Sequence, residues 1–348
     1  MEHTSHSSSR ESRTDSNAAR VQGGRPLNGV VPVGGSRNAA LSIMAASLLA
    51  DGPVNLQGVP RVSDVAVLCG MLVQLGVDVR RLTGDRLRLE TVDREPTVVP
   101  EKLIQRSRAG FLALGPLLAR RGRATVALPG ICALGDRPVD VPLRGLAALG
   151  ADVRVQGGCV VAKARHLRGA SIDLRGERGT TVSGTANVLC AATLAQGETV
   201  LTGAAAEPEI VDLCRFLQAM GARVEGVGTS TLRVRGVSQL NGPTYGVIPD
   251  RLEAATLLIA AAAVGGRVTA TGLIPKHLDA VLDWLRQAGC ELWVGGDWVT
   301  VERRGPLTPC NVSAAAYPGI PSDLQPALTV LLALAHGKSR VSDSVFPW

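Results

Sequence analysis

Apolar residues are gathered into recurring blocks along this chain. Five stretches, 38–52, 108–122, 185–197, 252–266 and 324–337, are rich in alanine and leucine with few polar breaks, and each closes near a glycine. Segments that are apolar all round predict helices held inside a protein, and the glycine sits where a helix C-terminus wants it. The closing glycines recur about every 70 residues, a period that marks a repeated structural unit. A short β-like run follows each block: PVNLQGV, RATVALPG, ETVLTGA, RVTATGL and KSRVSDSVF.

Four further stretches, 64–76, 141–150, 210–221 and 278–289, are apolar on one face only and also end at glycine. They predict amphipathic helices. Two strand-like runs come after each, such as VDVRRL then RLRLET, or CELWVG then WVTVER, and these predict hairpins. The unit is therefore β-α-β-α-β-β, with one interior helix and one surface helix. The expected fold class is α/β, built of small sheets around buried helices. The chain stops within a fifth unit, at about its second strand, so four and a half units are counted. A purely structural repeat would place its polar residues at equivalent points in every unit. Here they fall at non-equivalent points, which favours a chemical role.

At 348 residues the chain is long enough for two domains with real cores. Its composition is 45% hydrophobic but 3% aromatic, with a formal charge of +7. The positive charge admits nucleic acid, yet no nucleic-acid motif and little aromatic material for base stacking accompany it. A small anionic substrate accounts for the arginines as well. The seven cysteines are scattered with no CxxC pair, which predicts neither a disulfide framework nor a zinc site and fits a reducing cytoplasm. Residues 1–22 are polar and serine-rich, the composition of a disordered tail. The longest apolar run, 254–264, is too short to span a bilayer.

The stretch with the most chemistry is LPGICALGDRPVD at 128–140. Proline and glycine make it a loop. A cysteine there, Cys132, can meet a substrate, and Arg137 close by favours its thiolate and can clamp an anion. A small buried cysteine is the ordinary alternative. Gly34-Gly35-Ser36-Arg37-Asn38 opens the first apolar block, where free amides and an arginine make an anion site. Arg106 and Arg108 open the second, where a cation does nothing for the helix dipole. Glu207, Glu209 and Asp212 open an amphipathic helix, an ordinary place for acids. Asp250 and Asp323 precede or open the fourth and fifth blocks and have the ordinary reading of N-caps.

Taken together, the stretches GGSRNAALSI, VPRVSDV, SRAGFLALGPLLAR, LPGICALGDRPVD, AAEPEIVD, PDRLEAATLL and IPSDLQPALTVLLALAHG resemble the enolpyruvyl transferase family. They follow the family's order and spacing from about residue 26 to residue 346. The cysteine loop points to the nucleotide-sugar branch rather than to the branch acting on shikimate 3-phosphate. The resemblance implies two domains of three β-α-β-α-β-β units each. The first would be 37–248, and the second 23–36 with 249–348, incomplete in its last unit and exposing apolar helix surface. It implies transfer of the enolpyruvyl group of phosphoenolpyruvate to the 3-hydroxyl of UDP-N-acetylglucosamine, with release of phosphate, in peptidoglycan precursor synthesis. It implies no metal or organic cofactor.

By the same resemblance, Cys132 protonates the methylene of phosphoenolpyruvate and can add to its C2, and Asp323 accepts the proton of the sugar hydroxyl. Arg37, Arg108 and Arg137 would hold the phosphate and carboxylate, and Asn38 would contact substrate. The Arg137-Pro138-Val139-Asp140 backbone would hold the uracil. Asp250 and Arg251 match the interdomain site, and Asp64 and Glu207 match structural or active-site polar positions. Three departures stand out. Arg37 replaces the usual lysine, Pro142 replaces the usual histidine, and residues 175–185 (RGERGTTVSGT) replace a shorter nucleotide loop. They keep open a second acceptor, another uridine nucleotide such as UMP in nucleoside-antibiotic biosynthesis. The shortened second domain keeps open a non-catalytic paralogue.

Overall fold

The computed structural model describes residues 21–128 and 139–345. Its strands form four four-stranded sheets of one connectivity, and a parallel pair. In the first sheet the spatial order is Thr244–Gly246, Val54–Gln57, Leu87–Thr91, Val77–Arg81. The second runs Val98–Val99, Arg123–Ala127, Cys159–Lys163, Asp152–Gln156. The third runs Ser171–Asp173, Glu198–Thr202, Thr231–Arg235, Arg223–Glu225. The fourth runs Leu27–Pro32, Gly266–Thr271, Trp298–Arg303, Glu291–Val294. In each, the first two strands are parallel and the last two form an antiparallel hairpin. The parallel pair is Val312–Ala314 with Val341–Asp343.

Two apolar cores lie under these sheets. The larger draws on residues from Ala39 to Val247, and the smaller on residues from Ala254 to Leu332, with Val31 and Val33 packed against it. The N-terminal strand Leu27–Pro32 belongs to the fourth sheet, and the late strand Thr244–Gly246 belongs to the first. The chain therefore passes between the cores twice, at 33–38 and at 247–251. The two passages run side by side: Ser36 N donates to the Ile248 carbonyl at 2.7 Å and Asp250 N to the Gly34 carbonyl at 2.8 Å.

The buried helices of the larger core are enclosed as their composition predicts. In Arg37–Ala46 every position from Ala39 to Ala46 is buried, and in Val182–Ala192 every position from Gly184 to Ala192. Small residues let such helices approach closely. A Cβ placed on Gly115 would lie 2.1 Å from the backbone oxygen of Asn187, and one on Gly145 would lie 2.4 Å from a Val188 methyl. The amide of Gly115 also donates to the Asn187 side-chain oxygen at 2.8 Å, which satisfies a polar group inside the core.

Two expectations about the helices change. The 108–122 block is a 3₁₀ segment, Arg108–Ala113, followed by the α-helix Leu114–Arg121. Pro116 has no N–H to give the preceding turn, and it is tolerated only in the first turn of a helix, so the α-helix begins at Leu114. The helices of the smaller core are not enclosed all round. Arg251–Val264 buries one face, and Gln325–Ala333 buries only Leu328, Leu331 and Leu332. Val330 is 63% exposed and Leu334 52%. Composition reports apolarity, but burial needs neighbours, and here these two helices pack chiefly on each other and on one sheet.

Gly115→Ala tests the close helix packing. The clashing atom is backbone and cannot swing aside, so the variant should lose about 2–3 kcal/mol of stability. The readout is a fall in Cm with unchanged m in urea unfolding.

Candidate functional site

The two chain passages bring the N-termini of two helices together, and Asp250 serves both. Its Oδ1 accepts from Leu252 N at 2.8 Å and Glu253 N at 3.1 Å, capping Arg251–Val264. Its Oδ2 accepts from Arg37 N at 3.0 Å, the first amide of Arg37–Ala46. Ser36 is the formal N-cap of that second helix, with Oγ accepting from Ala39 N. Glu253 reaches back to Gly34 N at 2.7 Å. Gly35 is required where the first passage packs on the backbone at Gly58, since a Cβ there would sit 1.6 Å from the Gly58 carbonyl oxygen.

Arg37 projects from this junction. Its Nη1 contacts Asp64 Oδ2 at 3.2 Å, and its Nε and Nη2 share Asn38 Oδ1 at 3.3 and 3.2 Å. The Arg37 and Asp64 side chains are 44% and 30% exposed, so the pair contributes only about 0–1 kcal/mol. An arriving anion can therefore take the Arg37 guanidinium from Asp64 at little cost.

Arg251 is held differently. Its Nε and Nη2 donate to the two carboxylate oxygens of Glu209 at 2.9 and 3.2 Å, and the side chains are 8% and 4% exposed. Its guanidinium also lies 5.5 Å from the centre of the Tyr317 ring. Glu209 is in the larger core's helix Pro208–Ala219, whereas Arg251 opens the smaller core's first helix. The forked pair is a buried bolt between the cores, and its geometry leaves Arg251 committed to Glu209.

Glu207 sits beside this bolt. Burial raises its pKa above the ordinary carboxylate value, while its own backbone and Arg251 partly offset the shift. Its buried Oε2 has no hydrogen-bond partner among the described residues. His277 faces the same cluster, and burial with the nearby Arg251 charge lowers its pKa. Asp212, also buried, accepts from the Tyr245 hydroxyl at 2.6 Å and from Ile248 N at 3.2 Å. Burial raises the Asp212 pKa.

The remaining candidates stand further out in the network. Arg108 opens the 3₁₀ segment that packs on Arg37–Ala46. Asp323 lies in the 3₁₀ turn Ser322–Leu324, exposed, with Pro321 as the N-cap, so the simple capping reading does not hold for it. No hydrogen bond or ion pair joins Asp323 to Arg37 or Asp250. Val139 and Asp140 begin the helix Asp140–Ala148, away from the Asp250 junction but against residues 173–184. There Arg144 pairs with Asp140 at 3.7 Å and donates to the Asp173 and Arg175 carbonyls at 3.0 and 2.8 Å. The Arg175 guanidinium hydrogen-bonds Asp173 and holds its carboxyl down at about 2. Gly176 and Gly179 exchange backbone hydrogen bonds, so the longer loop is a tight turn. Cys132, Arg137 and Pro138 lie outside the described residues.

Glu209, Tyr317, Tyr245 and His277 were not singled out as site residues from sequence. Glu209 did carry a signal: it is the fifth residue of AAEPEIVD, and the dipole explanation for its charge hid a partner 42 positions away. Tyr317 and His277 carried none.

The fold is of the α/β class, and comparison with known proteins identifies its family. The sequence model of EPSP synthase (3-phosphoshikimate 1-carboxyvinyltransferase) matches residues 21–346. The chain belongs to this enolpyruvyl transferase family. It is 42% identical over 327 residues to the UDP-N-acetylglucosamine 1-carboxyvinyltransferase of Dichelobacter nodosus, covering 94% of this chain and 77% of that one. The enzyme of the same name from Halorhodospira halophila is 41% identical over 326 residues, covering 94% and 77%. Among solved structures, the enolpyruvyl transferase NikO from Streptomyces tendae superposes with a TM-score of 0.82 at 24% identity, covering 92% of this chain and 76% of that one. An EPSP synthase from Acinetobacter baumannii superposes with a TM-score of 0.66 at 20% identity, covering 92% and 74%.

Two outcomes test the junction. Glu209→Gln strands the Arg251 charge in a buried site and should cost about 3–5 kcal/mol, read by urea unfolding. Glu207→Gln should behave otherwise. A carboxyl whose folded pKa is raised supports the fold fully below its unfolded value near 4.5 and loses that support as pH rises through the folded pKa. The stability of the parent relative to Glu207→Gln should therefore be flat in acid and fall as pH is raised, in unfolding curves taken from pH 4 to 8.

Proposed function

We propose that the chain transfers the enolpyruvyl group of phosphoenolpyruvate to the 3-hydroxyl of UDP-N-acetylglucosamine, releasing phosphate, as a cytoplasmic step of cell-wall precursor synthesis. The observation that carries this reading is the identity of about 42% across 94% of the chain with enzymes named for that reaction.

The chemistry asks for parts that the residues can supply. Phosphoenolpyruvate brings a phosphate and a carboxylate, and Arg37, Arg108 and Arg137 are the cations assigned to them. Arg37 is the best placed in geometry, weakly tethered at the start of a buried helix whose amides favour anions. Protonation of the methylene makes C2 electrophilic, and Cys132 is the assigned acid. The 3-hydroxyl oxygen bonds to C2 while its proton passes to a base, assigned to Asp323. The C2–O bond to phosphate then breaks, and loss of a methyl proton restores the enol ether. Arg251, bolted to Glu209, is assigned to hold the cores rather than to bind substrate.

A second acceptor, another uridine nucleotide such as UMP, is favoured by one observation. The turn at 175–181 is braced by Arg144 and Arg175 beside Val139 and Asp140, on the side assigned to the nucleotide.

The test is phosphate release from phosphoenolpyruvate by the purified chain, with UDP-N-acetylglucosamine and UMP in parallel. Release that depends on the nucleotide sugar, and falls at least about a hundredfold in Cys132→Ala, is expected for loss of a general acid. Release with UMP alone selects the second acceptor. No release with either, from folded protein, defeats the proposal.

A further inference from the structure

At the other end of the helical stretch that Arg37 opens, a cavity of about 750 Å³ lies where three buried helical segments end. The end of Leu114–Arg121 lines it, as do Leu194 and Gln196, which follow Val182–Ala192. Asp51, which follows the segment Ser47–Leu49, is bonded to two of its lining residues. Five arginines reach this one cavity: Arg94, Arg120, Arg121, Arg123 and Arg165, with His166 beside them.

Helix C-termini attract cations, and that accounts for part of the cluster. Arg121 donates to the Leu75 carbonyl at 2.8 Å and to the Pro96 carbonyl. Arg94 and Arg120 share one oxygen of Asp51. Arg123 and Arg165 do no such work. Both are exposed at the rim, and no hydrogen bond or ion pair engages either among the described residues. Inside, the buried Nε of Arg121 has no hydrogen-bond partner among the described residues. Among the described residues, the carboxylates seen to interact with these guanidinium groups or to line the cavity are Asp51, Asp93 and Glu95. Cations gathered around a concave surface, in excess of the acids that could neutralise them, repel one another until an anion enters.

We infer that this cavity is a second anion site, separate from the proposed active site, for a small compound bearing two phosphoryl groups. The guanidinium fork matches phosphate oxygens, and the excess of positive charge calls for more than one negative charge. The volume exceeds what a single inorganic phosphate fills. Of the leucines that line it, Leu194 is half-buried and offers an apolar surface against which part of the ligand can lie.

The probe is inorganic pyrophosphate, titrated calorimetrically into the full chain at physiological ionic strength, with sulfate at matched ionic strength as the control. The expected result is one saturable site that sulfate does not occupy. Arg37→Gln should keep it. Arg123→Gln combined with Arg165→Gln should weaken it by at least about tenfold, the effect of losing two charge-assisted hydrogen bonds. Both side chains are exposed, so the thermal unfolding midpoint of the double variant should match the parent. Equal affinity in the double variant and the parent overturns the inference, as does the absence of saturable binding. Weakening by Arg37→Gln as large as that by the double variant places pyrophosphate in the proposed active site and overturns it too.

Discussion

The structure depends on one carboxylate. Asp250 accepts from the first amides of two helices that belong to different cores, and the passages that carry those helices run side by side. Each cap of this kind is worth about 0.5–2 kcal/mol. The larger consequence is geometric. Two helix N-termini are held by one side chain, so the positive ends of two helix dipoles lie together in one region. An anionic substrate needs such a region, and a single helix supplies only half of it.

Around that junction the charges divide by how tightly they are held. The Arg251–Glu209 pair is buried and forked, so removing one partner costs several kcal/mol and the pair acts as a fastener. The Arg37–Asp64 pair is half exposed and costs almost nothing to open. The same residue type thus plays opposite parts a few residues from a common carboxylate. Burial, not identity, decides which arginine is free to meet a ligand. Glu207 lies between these cases, a buried acid whose pKa burial raises although the committed Arg251 cation works against the shift.

The periodic blocks and closing glycines made the α/β class readable in advance, because apolar periodicity and stop signals are local. The split of 108–122 was also local, in Pro116, but it competed with a strong apolar run. Burial of the helices Arg251–Val264 and Gln325–Ala333 was not readable, since alanine and leucine look the same whether or not neighbours cover them. The polar network was readable only where it is local. Asp250 showed as a cap for the helix that follows it, but not for one that begins 213 positions earlier. Glu209 looked like a dipole acid because its partner is distant in sequence. Cys132 and Arg137 were legible as a loop thiol beside a guanidinium, while their roles and that of Pro138 came from resemblance and lie outside the described residues.

The helices of the larger core impose an order on its charges. Arg37 and Thr181 stand at the N-terminal ends of two interior helices, and Arg120, Arg121 and Asp51 stand at or just past C-terminal ends. Amides at one end favour anions, and carbonyls at the other favour cations. Arginines at the carbonyl ends are held by the fold itself, as Arg121 is by Leu75 and Pro96. An arginine at an amide end, such as Arg37, gains nothing from the helix and opposes its dipole. What holds it instead is the half-exposed pair with Asp64 and the Asn38 side-chain oxygen. The two arginine groups of this core are thus held differently: one satisfies carbonyls and Asp51 at helix ends that favour cations, and the other stands against its helix dipole on contacts that cost little to open.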